Sequence, residues 1–100
     1  MIEDQHSIST WANKTFGYPT RQRSINRMME EVIELGKIKQ SDENNFNKVS
    51  DECADILITL YQVASVYGFD LHECVDPKMQ INRNRKWKIA GDGTGQHIEE

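Results

Sequence analysis

Five carboxylic acids stand in two short segments of this 100-residue chain. The first segment is Glu30-Glu31-Val32-Ile33-Glu34, and the second is Glu52-Cys53-Ala54-Asp55. Each contains two acids at positions i and i+3, a spacing that puts both carboxylates on one side of a helix, about 60° apart. If the two helices lie antiparallel, the two pairs face each other. Four carboxylates would then converge, with no His or Cys among them.

Such a cluster predicts a metal site. Like charges brought this close repel each other unless cations lie between them. Hard oxygen ligands suit Mg²⁺ or Mn²⁺ and do not suit zinc. Mg²⁺ commonly keeps some of its water and takes phosphate oxygens from a substrate, so the site suits hydrolysis of phosphate esters.

The alternative interpretation is a charged helix face in water. On the first of these helices, Glu30, Glu31 and Glu34 lie opposite an apolar stripe, as solvated residues do. The second helix favours the metal site, because Asp55 immediately precedes an apolar run and an unpaired charge beside buried surface is costly. From spacing alone, both interpretations stay open.

The elements that position these acids are predicted to be about four helices, with little or no sheet. The first helix covers residues 7–14, with Ile8 and Trp11 on one face, and the Gly-Pro-containing segment 16–20 ends it. Thr20 is the predicted N-cap of the second helix. The apolar stripe of that helix consists of Ile25, Met28, Met29, Val32, Leu35 and Gly36.

The third predicted helix covers residues 46–67, and Gly68 directly after it is the predicted C-cap. Its second half, residues 56–67, is apolar on nearly every side. A helix buried all round needs neighbours all round, and a chain of this length can hardly supply them. We therefore predict a homo-oligomer packed around this helix. A well-buried central helix in a monomer is the alternative.

The fourth predicted helix opens at Asp70-Leu71 and reaches about Trp87. Pro77 lies inside it, and proline costs ~3 kcal/mol in a helix interior, so we expect a break or a kink there. The glycine-rich residues 90–95 follow no strand and lack the Lys-Ser/Thr ending of a P-loop. We interpret them as part of a flexible tail.

Composition and charge exclude several classes of protein. One hundred residues make one domain. The sequence contains no stretch of about 20 apolar residues, so we expect no membrane span. The acidic first residues do not resemble a signal peptide. Cys53 and Cys74 form no metal-binding spacing, which indicates free thiols in a reducing cytoplasm. The net charge of −4 argues against a nucleic acid polymer as partner.

The sequence resembles the MazG-like nucleotide pyrophosphohydrolases, an all-α NTP pyrophosphatase family. That family is marked by Glu-Glu-x-x-Glu, a gap and Glu-x-x-Asp, and here the gap is residues 35–51. The run from Lys78 to Trp87 is similar to the family's Lys-Met-x-x-Asn-x-x-Arg pattern followed by Trp. The segment from Trp11 to Gly17 is similar to that of short single-domain members. The resemblance covers about residues 7–87.

The resemblance implies a helical-bundle domain over residues 1–88, assembled as a dimer or a dimer of dimers, and we predict a flexible tail over residues 89–100. It also implies that a nucleoside triphosphate is cut between its α and β phosphates. Mg²⁺, for which Mn²⁺ can substitute, would be bound by Glu31, Glu34, Glu52 and Asp55. Glu34 is favoured as the residue that orients or deprotonates the attacking water, with Glu30 as a substitute.

The resemblance also implies a set of substrate-binding residues. Phosphate or sugar would be contacted by Lys48, Lys78, Asn82 and Arg85, whose alternative role is a solvated basic face. The base would stack on aromatic rings, for which core packing is the alternative. These rings are Trp11, Phe16 and Trp87.

The leading hypothesis is a cytoplasmic enzyme that clears non-standard or surplus (deoxy)nucleotides. A second hypothesis is a non-catalytic oligomeric helical module that binds a nucleotide or a protein. A third is a phosphohydrolase that acts on a phosphate ester other than a triphosphate. The second would fold without metal and bind no Mg²⁺, and the third would release orthophosphate instead of pyrophosphate.

Overall fold

The computed structural model describes residues 2–98 of the chain, which form four helices and one small hairpin. The helices are α1 (Gln5–Phe16), α2 (Arg21–Gly36), α3 (Asn45–Tyr67) and α4 (Leu71–Asn84). Strands β1 (Trp87–Ile89) and β2 (Gly95–His97) pair antiparallel, with Lys88 opposite Gln96. The prediction of an all-α chain with about four helices and little sheet is therefore confirmed.

Local hydrogen bonds at the helix ends explain where the helices begin and stop. Thr20 caps α2 as predicted, because its Oγ1 accepts a hydrogen bond from the Arg23 backbone N–H at 3.1 Å. Gly68 ends α3 in the left-handed conformation with φ of 90°, also as predicted. Helix α1 begins earlier than expected, since Asp4 and Ser7 form a reciprocal capping box.

Helix α3 is the central element, and both α1 and α2 pack along it. The buried hydrophobic side chains of the described residues are Ile8, Ala12, Tyr61 and Ala64, all from α1 and α3. The Ser9 and Ser65 hydroxyls meet at 2.5 Å within this α1–α3 contact. The core is small for a chain of this length.

The face that α2 turns toward α3 differs from the predicted stripe. Glu31, which the alternative interpretation placed in water, is only 8% exposed, whereas Met29 and Val32 of the stripe are 52% and 46% exposed. The interpretation of Glu31 as a solvated residue is therefore wrong. The packing of α2 on α3 therefore buries Glu31 from the acidic face of α2. It leaves Met29 and Val32 of the apolar stripe exposed to solvent.

Helix α4 differs from the prediction in two respects. It runs through Pro77, so a break there is wrong, and a kink stays a prediction. A missing proline N–H removes one hydrogen bond from a ladder that otherwise continues on both sides. The helix also ends at Asn84 instead of about residue 87, because Arg85 is extended and the chain enters the hairpin.

The hairpin occupies part of the segment that we interpreted as a tail. Gly91 and Gly93 in its turn have φ of 93° and 92°, the conformation that glycine adopts without strain. Every residue of both strands is exposed. The division into a domain over 1–88 and a flexible tail over 89–100 stays a prediction. Within residues 2–98, no helix has both the length and the apolarity of a membrane span.

Candidate active site

Three of the predicted metal ligands lie together between α2 and α3. One carboxylate oxygen from each of Glu31, Glu52 and Asp55 lies within 4.8 Å of the other two. Glu31 is buried, Glu52 is half-buried and Asp55 is exposed, so the group opens to solvent on one side. The i, i+3 spacing on α3 and the packing of α2 on α3 bring these three carboxylates together, whereas the sequence predicted that four would converge.

The electrostatics of the group show that it is short of positive charge. A hydrogen bond shared with Glu31 raises the pKa of the Glu52 carboxyl above its ordinary value. Burial raises it further, and so do the negative charges of Glu31, Asp55 and Glu34. A carboxylate crowded in this way is stabilised either by a proton or by a cation.

The donor set fits a hard divalent cation. The Glu52 Oε2 atom is buried and has no hydrogen-bond partner among the described residues. An oxygen that is removed from water and left unpaired is unfavourable, and metal coordination is one way to satisfy it. Oxygen donors without nitrogen or sulfur suit Mg²⁺ or Mn²⁺. Glu31, Glu52 and Asp55 would hold the ion.

Glu34 and Glu30 lie outside this group of three. Glu34 is half-exposed and its Oε1 is 3.3 Å from the Lys37 Nζ, although its charge still raises the pKa of Glu52. Glu30 accepts a hydrogen bond from Arg23 at 2.9 Å, and that bond lowers the pKa of the Glu30 carboxyl. A low pKa makes Glu30 a weak proton acceptor. Metal binding by Glu34 stays a prediction.

A cleft of about 670 Å³ begins at these carboxylates and runs between α1, α2 and α3. Glu31 and Asp55 lie in its wall, and so do Trp11 and Phe16 of α1. The two rings meet edge to face, with centroids 5.4 Å apart, and are 56% and 76% exposed. The cleft thus joins an acidic wall to aromatic faces, the two surfaces that a metal–nucleotide complex needs.

Two arginines of α2 line the same cleft and were missed by the sequence analysis. Arg27 forms an ion pair with Glu31 and a longer one of 3.5 Å with Glu30, while Arg23 pairs with Glu30. The signal was present in the sequence, because Arg27 and Arg23 precede Glu31 by four and eight positions. That spacing puts all three residues on one side of a helix.

The remaining predicted substrate-binding residues do not line this cleft. Lys48 pairs with Asp42 at 2.5 Å, on the exposed first turn of α3. On and after α4, Lys78 is exposed, Asn82 and Arg85 are half-buried, and the Trp87 Nε1 donates to the Asn82 carbonyl at 2.8 Å. Within one chain, the structure therefore brings Trp11 and Phe16 to the acidic group but does not bring the α4 residues there.

Comparison with known proteins gives two curated relatives. The chain is 35% identical over 94 residues to a dATP/dGTP diphosphohydrolase of Salmonella phage PMBT28; this match covers 94% of the chain and 30% of that relative. The chain thus spans less than a third of the phage PMBT28 protein. It is 30% identical over 98 residues to a dATP/dGTP diphosphohydrolase of Cyanophage S-2L, a match covering 98% of the chain and 88% of that relative.

A solved structure is similar as well. It is the Cyanophage S-2L MazG-like pyrophosphohydrolase bound to dGDP and three catalytic Mn²⁺ ions per active site. The two folds superpose with a TM-score of 0.76 at 28% sequence identity, over 96% of this chain and 90% of that one. No protein-family model matches the chain.

Proposed function

This chain belongs to the MazG-like nucleotide pyrophosphohydrolases, and we propose that it hydrolyses purine deoxynucleoside triphosphates to a monophosphate and pyrophosphate. The observation that carries the proposal is the group formed by Glu31, Glu52 and Asp55 at the wall of a cleft that also holds Trp11 and Phe16. Both curated relatives are named for dATP and dGTP. Family membership decides against the non-catalytic helical module.

We propose a divalent ion, Mg²⁺ or Mn²⁺, as the cofactor. The structurally similar S-2L protein binds Mn²⁺, and the donor set of this chain suits either ion. When bound, such ions supply positive charge for the triphosphate and the acidity that water needs to attack at neutral pH. Glu31, Glu52 and Asp55 would hold them, and Glu34 stays the fourth proposed ligand.

The chain's own side chains suggest how the rest of the substrate is held. Trp11 and Phe16 offer exposed faces on which a base can stack. Arg27 pairs with Glu31, a carboxylate that cations would neutralise, so its guanidinium would become available to phosphate oxygens, and Arg23 lines the same cleft. Glu34, nearest to solvent among the predicted ligands of α2, is the proposed residue that orients or deprotonates the attacking water.

The experiment is a panel of dNTPs with Mg²⁺ or Mn²⁺, analysed by chromatography of the products. We expect dATP and dGTP to give monophosphate and pyrophosphate. Orthophosphate as the first product would indicate cleavage between the β and γ phosphates and would contradict the proposed products. Absence of turnover across the panel, including damaged nucleotides, would contradict the proposal.

A matched pair of variants tests the acidic group itself. Asp55→Asn removes a carboxylate from the group, whereas Asp51→Asn makes the same change one turn earlier on α3, at an exposed residue outside it. We expect D55N to lose at least 100-fold in kcat/KM, on the order of the loss when an electrostatic stabiliser is removed, with D51N unchanged. Equal activity in the two variants would remove Asp55 from the site.

We also propose that the active protein is a homo-oligomer. The chain exposes 8084 Å², compared with about 5,800 Å² for a folded monomer of its mass. Its radius of gyration is 16.5 Å, compared with about 13 Å for a compact 100-residue domain. Exposed apolar side chains on α2 and α4 belong to this surface, among them Met29, Val32, Val75 and Ile81. Clearance of non-standard or surplus nucleotides in the cytoplasm stays the proposed role.

A further inference from the structure

One face of α3 forms a straight wall of the cleft. Its lining residues are Asp55, Ile58, Thr59 and Gln62, which follow one another at helical spacing. Asp55 belongs to the acidic group, and Gln62 lies seven positions further along, about 10 Å at the helical rise. That distance is comparable to the span of a deoxynucleoside from its 5′ phosphate to the far edge of its base. Phosphates held near Asp55 would therefore place the base near Gln62.

Among the described residues that line the cleft, Gln62 has a buried side-chain oxygen, Oε1, without a hydrogen-bond partner. The hydroxyls of the neighbouring cleft residues are already used, since Thr59 donates to the Ile56 carbonyl and Ser24 to the Arg21 carbonyl. An amide oxygen removed from water and left unpaired is unfavourable, so a ligand that satisfies this amide is favoured.

We infer that Gln62 reads the hydrogen-bonding edge of the purine, an inference that rests on the proposed function. A carboxamide carries one acceptor and one donor group side by side. Its terminal torsion is broad and close to two-fold, so a half-turn exchanges the oxygen and the nitrogen at little cost. In one orientation the amide accepts from the adenine N6 amino group and donates to N1. In the other it donates to the guanine O6 and accepts from the N1–H.

This exchange accounts for a site that takes both purines. Adenine and guanine present opposite donor and acceptor patterns on this edge, and a side chain with a fixed pattern would favour one of them. The amide of Gln62 matches either purine after a half-turn of its terminal torsion. Pyrimidines carry similar patterns on a smaller ring, so the length of the cleft, and not Gln62, would select against them.

The test compares Gln62→Glu and Gln62→Met with the wild-type protein, using kcat/KM for dATP and dGTP. Glutamate only accepts hydrogen bonds, which suits the guanine N1–H and amino group but opposes the lone pair of adenine N1. We expect Q62E to shift the dGTP:dATP ratio at least tenfold toward dGTP, as for a lost bidentate base contact worth roughly that factor. Methionine keeps the length without the polar group, so Q62M should lower both values together.

Equilibrium binding of dADP and dGDP in the presence of Mn²⁺ supplies a readout that does not need turnover. The same shift in ratio is expected there, and thermal melting verifies that each variant is folded. Gln40→Glu, in the exposed connection between α2 and α3, is the control for the charge change and should leave both ratios unchanged.

The outcomes separate the inference from the proposed function. A wild-type ratio in Q62E together with wild-type kcat/KM values in Q62M would overturn the role of Gln62 while leaving the hydrolase intact. A wild-type protein that binds both diphosphates yet hydrolyses neither triphosphate would overturn the proposed function, and the shift in the binding ratio would still decide about Gln62. Absence of binding to either diphosphate would overturn both.

Discussion

At the scale of single residues, Arg27 supplies a positive charge beside the acidic group. Its guanidinium pairs with Glu31, the most buried of the three carboxylates. A cation bound by Glu31 would compete with this ion pair, and metal binding would then be coupled to the release of Arg27. The released guanidinium can then contact a triphosphate, since Arg27 lines the cleft.

This coupling gives opposite expectations for affinity and turnover. Arg27→Met should bind Mn²⁺ more tightly, because the competing positive charge is gone. Its kcat/KM for dGTP should fall roughly 10- to 100-fold, because a charge-assisted phosphate contact is lost. Calorimetry with Mn²⁺ alone and steady-state kinetics measure the two effects. Lys14→Met is the charge-matched control on α1. Weaker Mn²⁺ binding in R27M would contradict this account.

Glu52 should make the stability of the metal-free protein depend on pH. Its pKa is raised in the folded chain above the ordinary 4.5, mainly by the hydrogen bond with Glu31. The folded state therefore holds the Glu52 proton more tightly than the unfolded state does. This contribution to stability is complete below pH 4.5 and is lost as the pH rises above that value.

Glu52→Gln removes this contribution, because glutamine carries no charge at any pH. The melting temperature of E52Q minus that of the wild type should therefore increase as the pH is raised from 4 to 7, roughly the window of the raised carboxyl pKa. Added Mn²⁺ should reverse the order at pH 7, since the wild type gains a ligand that E52Q lacks. A difference that stays constant over this pH range would contradict the raised pKa.

The sequence predicted the acidic residues better than their partners. The i, i+3 spacing of Glu52 and Asp55 is sufficient to put both carboxylates on one side of a helix. Gln62 could not be recognised in the same way, because an amide has no charge pattern and its importance comes from being left unpaired in a cleft. That property depends on which hydroxyls nearby are already bonded to the backbone.

At the scale of elements, helix ends were predictable wherever a single residue type determines the local conformation. Thr20 and Gly68 were identified because a hydroxyl at an N-cap and a glycine at a C-cap satisfy backbone groups that the helix leaves free. The hairpin was not predicted. Its strands are three residues long and exposed, and the apolar–polar alternation of Trp87, Lys88 and Ile89 in β1 is too short to indicate a strand.

Gly68 gives a direct test of this local argument. Its φ of 90° is costly for residues with a Cβ, and nothing lies within 4 Å of an added Cβ, so the backbone alone opposes Gly68→Ala. We expect G68A to lower the free energy of unfolding by about 1 kcal/mol. Gly36→Ala is the matched control, since Gly36 is helical and its Cβ would also meet open space.

Urea unfolding measures both variants. G36A should be neutral or slightly more stable, because alanine is favoured over glycine within a helix. A G68A variant as stable as G36A would show that the end of α3 does not require a left-handed residue. Because neither position lies in the cleft, turnover should change little in either variant.

At the scale of the whole molecule, α4 is the helix whose apolar side chains are poorly covered within one chain. It packs on α3 far less than α1 and α2 do, and the Tyr61 hydroxyl with the His72 Nε2 at 2.7 Å is a specific link between the two helices. Its apolar residues Val75 and Ile81 are 47% and 48% exposed. Apolar surface of this kind indicates an interface with another protein surface.

The proposed assembly can be tested by measuring the mass of the protein in solution. We expect light scattering after size-exclusion chromatography to give a mass of two or four chains of 11.6 kDa. Val75→Glu places a charge on the exposed apolar side of α4 and should shift the protein toward smaller species. A monomeric wild-type protein at micromolar concentration would contradict the proposed assembly.

Assembly would also explain why the predicted phosphate-binding residues of α4 lie away from the cleft of their own chain. Lys78 and Arg85 can act on a triphosphate if a neighbouring copy brings them to it. A Lys78→Ala/Arg85→Ala double variant and D55N should then each be inactive alone. In a two-fold dimer, each mixed pair contains one site with both defects and one with neither.

The two inactive proteins are therefore unfolded together and refolded in equal amounts. About half of the dimers should be mixed, and each mixed dimer has one intact site of two, so about a quarter of the wild-type activity should return. Separately refolded samples, mixed just before the assay, are the control and should stay inactive if subunits exchange slowly. No recovery after joint refolding into mixed oligomers would place Lys78 and Arg85 either in their own chain's site or outside catalysis. Full activity in the double variant alone would select the second of these explanations.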